Sequence, residues 1–146
     1  MQINIKKSPV SLLFVCLGNT CRSPMAAALA KKELGKENKI ESGGIVVQAM
    51  GAAGPAIKVM KSEFNIDISG HIPRNVSETL LNDFDYIIAM DSYVADYLIR
   101  KYNIPKEKII LWQIEDPYFQ GIDVYKQCAY EIYSHLKTLT KSCKMS

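Results

Sequence analysis

The chain is sparing with the residues that mark special-purpose architectures. Its 146 residues include four cysteines, two histidines and one tryptophan. The cysteines Cys16, Cys21, Cys128 and Cys143 form no Cys-x-x-Cys pair, and His71 and His135 lie far apart, so a zinc site is not expected. A chain this long and apolar needs no disulfide framework, which points to free thiols in a reducing compartment, the cytoplasm. The net charge of +3 is too small and too scattered for a nucleic-acid partner. No apolar run is long enough to cross a membrane. Internal repeats, low-complexity stretches and linkers are missing as well, so residues 1–146 read as a single domain. Lys6 and Lys7 before an apolar run, with Ala26 to Ala28 beyond, imitate a secretory leader. The intervening Asn19, Arg22 and Pro24, and the β-branched and aromatic content of the run, argue for a buried strand instead.

What the chain does hold is an alternation of short apolar runs and helical stretches. Strands are expected over residues 10–16, 40–42, 86–89 and 109–112. Helices are expected from Ser23 to Gly35 and over residues 54–64, 76–82, 92–102 and 124–143. Ser23 is placed as cap of the first helix, with Pro24 at its first position. Continuous apolar strands alternating with helices predict an α/β fold with a parallel sheet covered on both faces. Ligands of such sheets bind beyond the carboxyl ends of the strands.

The segment Cys16-Leu17-Gly18-Asn19-Thr20-Cys21-Arg22-Ser23 sits at such an end, between the first strand and the first helix. Backbone N–H groups curling into a helix N-terminus form a cradle for an anion, and such settings favour a thiolate over a thiol. Cys16 is the candidate nucleophile. Arg22 offers a permanently charged planar fork for two phosphate oxygens. Gly18 is expected to let the backbone turn, and Ser23 to donate its hydroxyl to the Cys16 sulfur. The loop has no acid for a leaving group. The best candidate is Asp116, in Glu115-Asp116-Pro117-Tyr118 after the last strand, although Asp-Pro also starts ordinary turns.

With both segments in view, the sequence resembles the low-molecular-weight protein tyrosine phosphatases over nearly its whole length. The resemblance rests on residues 15–24 and on Asp116-Pro117-Tyr118. It implies a three-layer, flavodoxin-like, doubly wound fold with a four-stranded parallel sheet. It also implies hydrolysis of phosphotyrosine and small aryl phosphates, with inorganic phosphate as product and no metal or other cofactor. Cys16 is then the nucleophile of a cysteinyl-phosphate intermediate, Arg22 the phosphate ligand, and Asp116 the general acid and later the base. Residues Leu17, Gly18, Asn19, Thr20, Cys21, Arg22 and Ser23 surround the phosphate. Asn19 holds the loop with Ser23, Ser42 and His71 as partners. Tyr118 flanks the substrate ring, and Cys21 pairs with Cys16 in a reversible, protective disulfide.

There are departures. Gln48 stands on the rim where the family commonly has an aromatic residue, which leaves substrate preference open. Phe119 replaces a second tyrosine, so only Tyr118 is available there for phosphorylation. Ala27 replaces a common acidic residue. The ending Cys143-Lys144-Met145-Ser146 has the outline of a prenylation signal, the one route by which a membrane partner enters. A monomer is the default. The competing readings are an arsenate reductase-like thiol enzyme, which needs further relay cysteines, and a non-catalytic phosphotyrosine-binding adaptor.

Overall fold

The computed structural model describes residues 9–145, with side chains through residue 139. Strand β1 (Ser11–Cys16) leads into helix α1 (Arg22–Leu34), followed by β2 (Lys39–Gly44), α2 (Gly54–Phe64) and α3 (Glu78–Asn82). Strand β3 (Tyr86–Ala89), α4 (Ser92–Tyr102), β4 (Ile109–Leu111) and α5 (Ile122–Met145) complete the order. All strands pair in parallel, in the order β2-β1-β3-β4. This is the α/β architecture expected from the alternation.

The period-2 pattern of β1 explains the layering. Leu12 and Phe14 face one core, which Met25, Leu29, Met60, Tyr125 and Leu136 bring from α1, α2 and α5. Leu13 and Val15 face the other, with Leu81, Val94 and Leu98 from α3 and α4. The residues Leu12 to Val15 are fully buried, and each such side chain contributes roughly 1.5–3 kcal/mol. Phe14 and Trp112 pack with ring centroids 5.6 Å apart.

Helix ends follow local chemistry. Gly35, at φ 92°, ends α1, while Asn65 and Asn103, both at φ 56°, end α2 and α4 in the left-handed conformation. Ser77 and Asp91 cap α3 and α4 through their side chains. One expectation is overturned here. Helix α1 begins at Arg22, one residue before the expected cap, and Cys21 precedes it without any side-chain cap. Ser23 lies inside the helix and turns its hydroxyl to Cys16 instead. The first-turn N–H groups are thereby left for another acceptor. The ends of α5 extend beyond the expected 124–143, and β2 is longer than the expected 40–42. The Cys143 side chain, and with it the prenylation expectation, lies outside the described residues.

The sheet order reverses direction between β1 and β3. Loops from the carboxyl ends of these strands diverge there and leave a crevice. Cys16 ends β1, Asp91 follows β3, and Ile114 and Asp116 follow β4, so all reach the same edge.

Candidate active site

The loop from Cys16 to Arg22 is held by its carbonyls. Ile45 N–H donates to Cys16 O and Leu17 O, Val46 N–H to Leu17 O, Ala53 N–H to Thr20 O and Met25 N–H to Cys21 O. His71 Nε2 lies 2.8 Å from Asn19 O. Among the described residues the N–H groups of Gly18, Thr20 and Cys21 meet no backbone acceptor. With the uncapped first turn of α1, these donors make the cradle that the spacing suggests.

Asn19 is the strut of this loop. It is fully buried and takes φ 58°, so the left-handed turn falls on Asn19, and Gly18 has no positive φ. Its backbone N–H donates to Cys16 Sγ at 3.2 Å. Its Nδ2 donates to Ser23 Oγ at 2.8 Å and to Ser42 Oγ at 3.0 Å. Its Oδ1 accepts from Arg74 N–H at 3.0 Å. Gly44 is required beside it: a Cβ there would stand 3.0 Å from both the Cβ and the N of Asn19. Ser23 Oγ lies 2.9 Å from Cys16 Sγ, and with sulfur as thiolate the hydroxyl donates. Ser42, His71 and Arg74 thus all hydrogen-bond Asn19, and Arg74 is a contact that the sequence reading missed.

Arg22 is almost wholly buried. Its Nη1 donates to Asp91 Oδ2 at 2.6 Å and to Ile114 O at 2.9 Å. These occupy both Nη1 hydrogens, leaving the Nε and Nη2 edge for an anion. Nη2 lies 3.5 Å from Asp116 Oδ2. Burial opposes the charge, but Cys16, Asp91 and Asp116 outweigh it and raise the Arg22 pKa above its ordinary value. Asp91 was also missed. It is an acid directly beyond β3, and the strand-end rule alone could have singled it out.

Above Cys16 the cleft has a volume of about 200 Å³ and is walled by Leu17, Thr20, Gln48, Asp116 and Tyr118, together with Val46 and Ala49. Asp116 is both turn residue and cleft residue: its Oδ1 accepts from Tyr118 N–H at 3.1 Å while its Oδ2 faces Arg22. Cys21 also lines the cleft, with Tyr125 Oη 3.4 Å from its sulfur. Burial above all raises its thiol pKa. Cys16, Cys21 and Cys128 are free.

A thiol on the floor of a backbone anion cradle, with a buried arginine beside it and a carboxyl on the rim, is an arrangement that can hold a tetrahedral oxyanion against a nucleophilic sulfur. The chain belongs to the low molecular weight phosphotyrosine protein phosphatase family, whose model matches residues 11–146. It is 38% identical to an arsenate reductase 2 of Staphylococcus haemolyticus, over 73% of this chain and 78% of that one. It is 29% identical to a protein-arginine-phosphatase of Bacillus subtilis, over 92% and 97%. Among solved structures, the low molecular weight protein tyrosine phosphatase from T. tengcongensis superposes with a TM-score of 0.84 at 33% identity, covering 90% of this chain and 98% of that one. Among the described residues no helix is long and apolar enough to cross a membrane.

Proposed function

We propose that this protein is a protein tyrosine phosphatase that hydrolyses phosphotyrosine and small aryl phosphates through a cysteinyl-phosphate. The observation that carries the reading is the convergence of Cys16 Sγ, the loop N–H groups without backbone acceptors, the Nε and Nη2 edge of Arg22, and Asp116 on one small cleft. The phosphate enters with its oxygens on the loop amides and on Arg22 Nε and Nη2. It takes donors that now face Asp116 and frees that carboxyl for the ester oxygen. Cys16 thiolate attacks phosphorus, the P–O bond breaks, and Asp116 gives its proton to the leaving phenol. Water then attacks the cysteinyl-phosphate, Asp116 accepts its proton, the S–P bond breaks, and inorganic phosphate departs. Ser23 donates to the sulfur as it leaves. Preorganised donors of this kind contribute about 10²–10³ each in rate, and a positioned acid about 10²–10⁴. Arg22 and the amides supply the positive field, so no metal or other cofactor enters. The protein works as a cytoplasmic monomer.

The cleft also supports a second reading, phosphoarginine. The leaving group would then be a guanidine, whose N–H donors can meet the Thr20 hydroxyl and the Asp116 carboxylate. A phenol ring offers those acceptors nothing, and Gln48 gives it no aromatic partner on the rim. The similarity to a protein-arginine-phosphatase adds to this. Arsenate reduction is less well served. Cys128 is buried on α5, and burial pushes its pKa up to about 12, which leaves it a poor relay thiol. The test is steady-state turnover of phosphotyrosine, phosphoarginine, phosphoserine and phosphothreonine peptides without added metal, run beside thiol-dependent arsenate reduction. Phosphotyrosine should lead in kcat/KM. A tenfold lead for phosphoarginine, abolished in Thr20→Val, would establish the second reading. Binding of phosphotyrosine peptide with no turnover would return the adaptor.

A further inference from the structure

Behind the catalytic loop lies a larger concavity that the proposed reaction does not use. The outer edge of β2, the flank of α1 and the 65–74 segment enclose an open groove of about 860 Å³. That is the size of a small-molecule site. Four cations line it, Lys31, Lys32, Lys36 and Arg74, against the carboxylates Glu41 and Asp67. Glu41 is occupied by Arg74, and Asp67 accepts from Ser69 N–H at 2.9 Å. Lys32 Nζ donates to Phe64 O at 3.0 Å. Among the described residues neither Lys31 nor Lys36 has an ion-pair partner. The groove therefore carries a surplus of positive charge with two ammonium groups uncommitted. The half-buried His71 imidazole registers this field: burial first, then Arg74 and Lys31, hold its pKa below the ordinary value.

The same wall touches the catalytic loop. His71 Nε2 is bonded to Asn19 O, and Arg74 N–H donates to Asn19 Oδ1. Arg74 Nε also donates to Ser42 O at 3.1 Å, and Ser42 Oγ accepts from Asn19 Nδ2. Whatever draws on Arg74 or His71 from the groove side pulls on the residue whose own N–H donates to the Cys16 sulfur.

We propose that this groove is a second binding site, for a small polyanion bearing several phosphate or carboxylate groups, and that its occupancy is coupled to the catalytic cleft through Asn19. Lys31 and Lys36 bind the anionic groups as point charges, so affinity falls as salt rises. Coupling of two sites is reciprocal: if the polyanion changes the affinity of the cleft for a ligand, that ligand changes the affinity of the groove by the same factor.

The experiment uses the full chain, labelled with ¹⁵N, with its catalytic cleft saturated by benzylphosphonate. Tripolyphosphate and citrate are titrated in separate arms, followed by amide resonances and calorimetry. Saturable binding is expected, with the largest shifts at Lys31, Lys36 and Gly70. The double variant Lys31→Glu/Lys36→Glu should bind about tenfold more weakly or worse, since two attractive charge pairs become repulsive. Its turnover of p-nitrophenyl phosphate should match the parent's, with a thermal transition lowered by only a few degrees, because Lys31 lies in the last turn of α1, where a carboxylate opposes the helix dipole. Binding in one arm alone assigns the natural ligand to phosphates or to carboxylates. Shifts confined to residues 17–22, or equal binding by the double variant, would overturn the site. An unchanged benzylphosphonate affinity with the groove filled would overturn the coupling.

Discussion

Replacing Asn19 by alanine removes the strut of the catalytic loop. Three hydrogen bonds of its side chain disappear, to Ser23, Ser42 and Arg74 N–H, all in a fully buried setting. At roughly 1 kcal/mol each they amount to about 3 kcal/mol. Alanine at φ 58° adds about 1 kcal/mol of left-handed strain. The expected loss is therefore about 3–4 kcal/mol, large against the 5–15 kcal/mol typical of a whole domain but compatible with folding. Asn19→Gly loses the same bonds without the backbone strain. Allowing for the roughly 0.4–1 kcal/mol of entropy glycine adds to the unfolded chain, it should be the more stable of the two by up to about 0.6 kcal/mol. Urea denaturation of both variants gives these values, and turnover of p-nitrophenyl phosphate should fall in both because Ser23 loses its orientation toward sulfur. An Asn19→Ala protein within 1 kcal/mol of the parent and fully active would refute the strut. An alanine variant more stable than the glycine variant would refute the argument from φ.

Three more outcomes are expected. His71 binds its proton less readily folded than unfolded, so below about pH 6.5 the unfolded state holds more protons and stability falls as the pH drops through the lowered folded value. The thermal midpoint of His71→Gln should fall less over that range, and parallel curves would contradict this. Asp116→Asn should slow turnover most for basic leaving groups, so its rates on aryl phosphates should depend more steeply on leaving-group pKa than the parent's; equal slopes would exclude general-acid catalysis. Activity lost to peroxide should return with a thiol reductant, and Cys21→Ser should make the loss less reversible. Unchanged recovery would remove Cys21 as the partner of Cys16.

The architecture was legible because its strands are local. Residues 12–15 are apolar on both faces, and Gly35 marks the end of α1 in one residue. The cradle was legible for the same reason, since Cys16, Asn19, Arg22 and Ser23 act within one loop. Contacts between distant segments were not. Asp91 is joined to Arg22 only by the pairing of β1 with β3, and Arg74 reaches Asn19 only because residue 75 bridges to Gly44 at the edge of β2. The expected cap at Ser23 failed for a reason internal to the site. Its hydroxyl is turned to the sulfur, and an uncapped first turn leaves N–H groups for phosphate. Positive φ at Asn19 rather than Gly18 has a similar origin, because asparagine tolerates that conformation and repays it with hydrogen bonds from its side chain.

The central claim is that Cys16 carries the phosphoryl group. The most direct measurement is a rapid acid quench of the Asp116→Asn enzyme during turnover of p-nitrophenyl phosphate, followed by peptide mass spectrometry. A phosphoryl adduct is expected on the peptide bearing Cys16, formed in a burst and absent from Cys16→Ser, which should bind phosphate without turning over. Turnover with no adduct on Cys16, or substantial activity in Cys16→Ser, would contradict it.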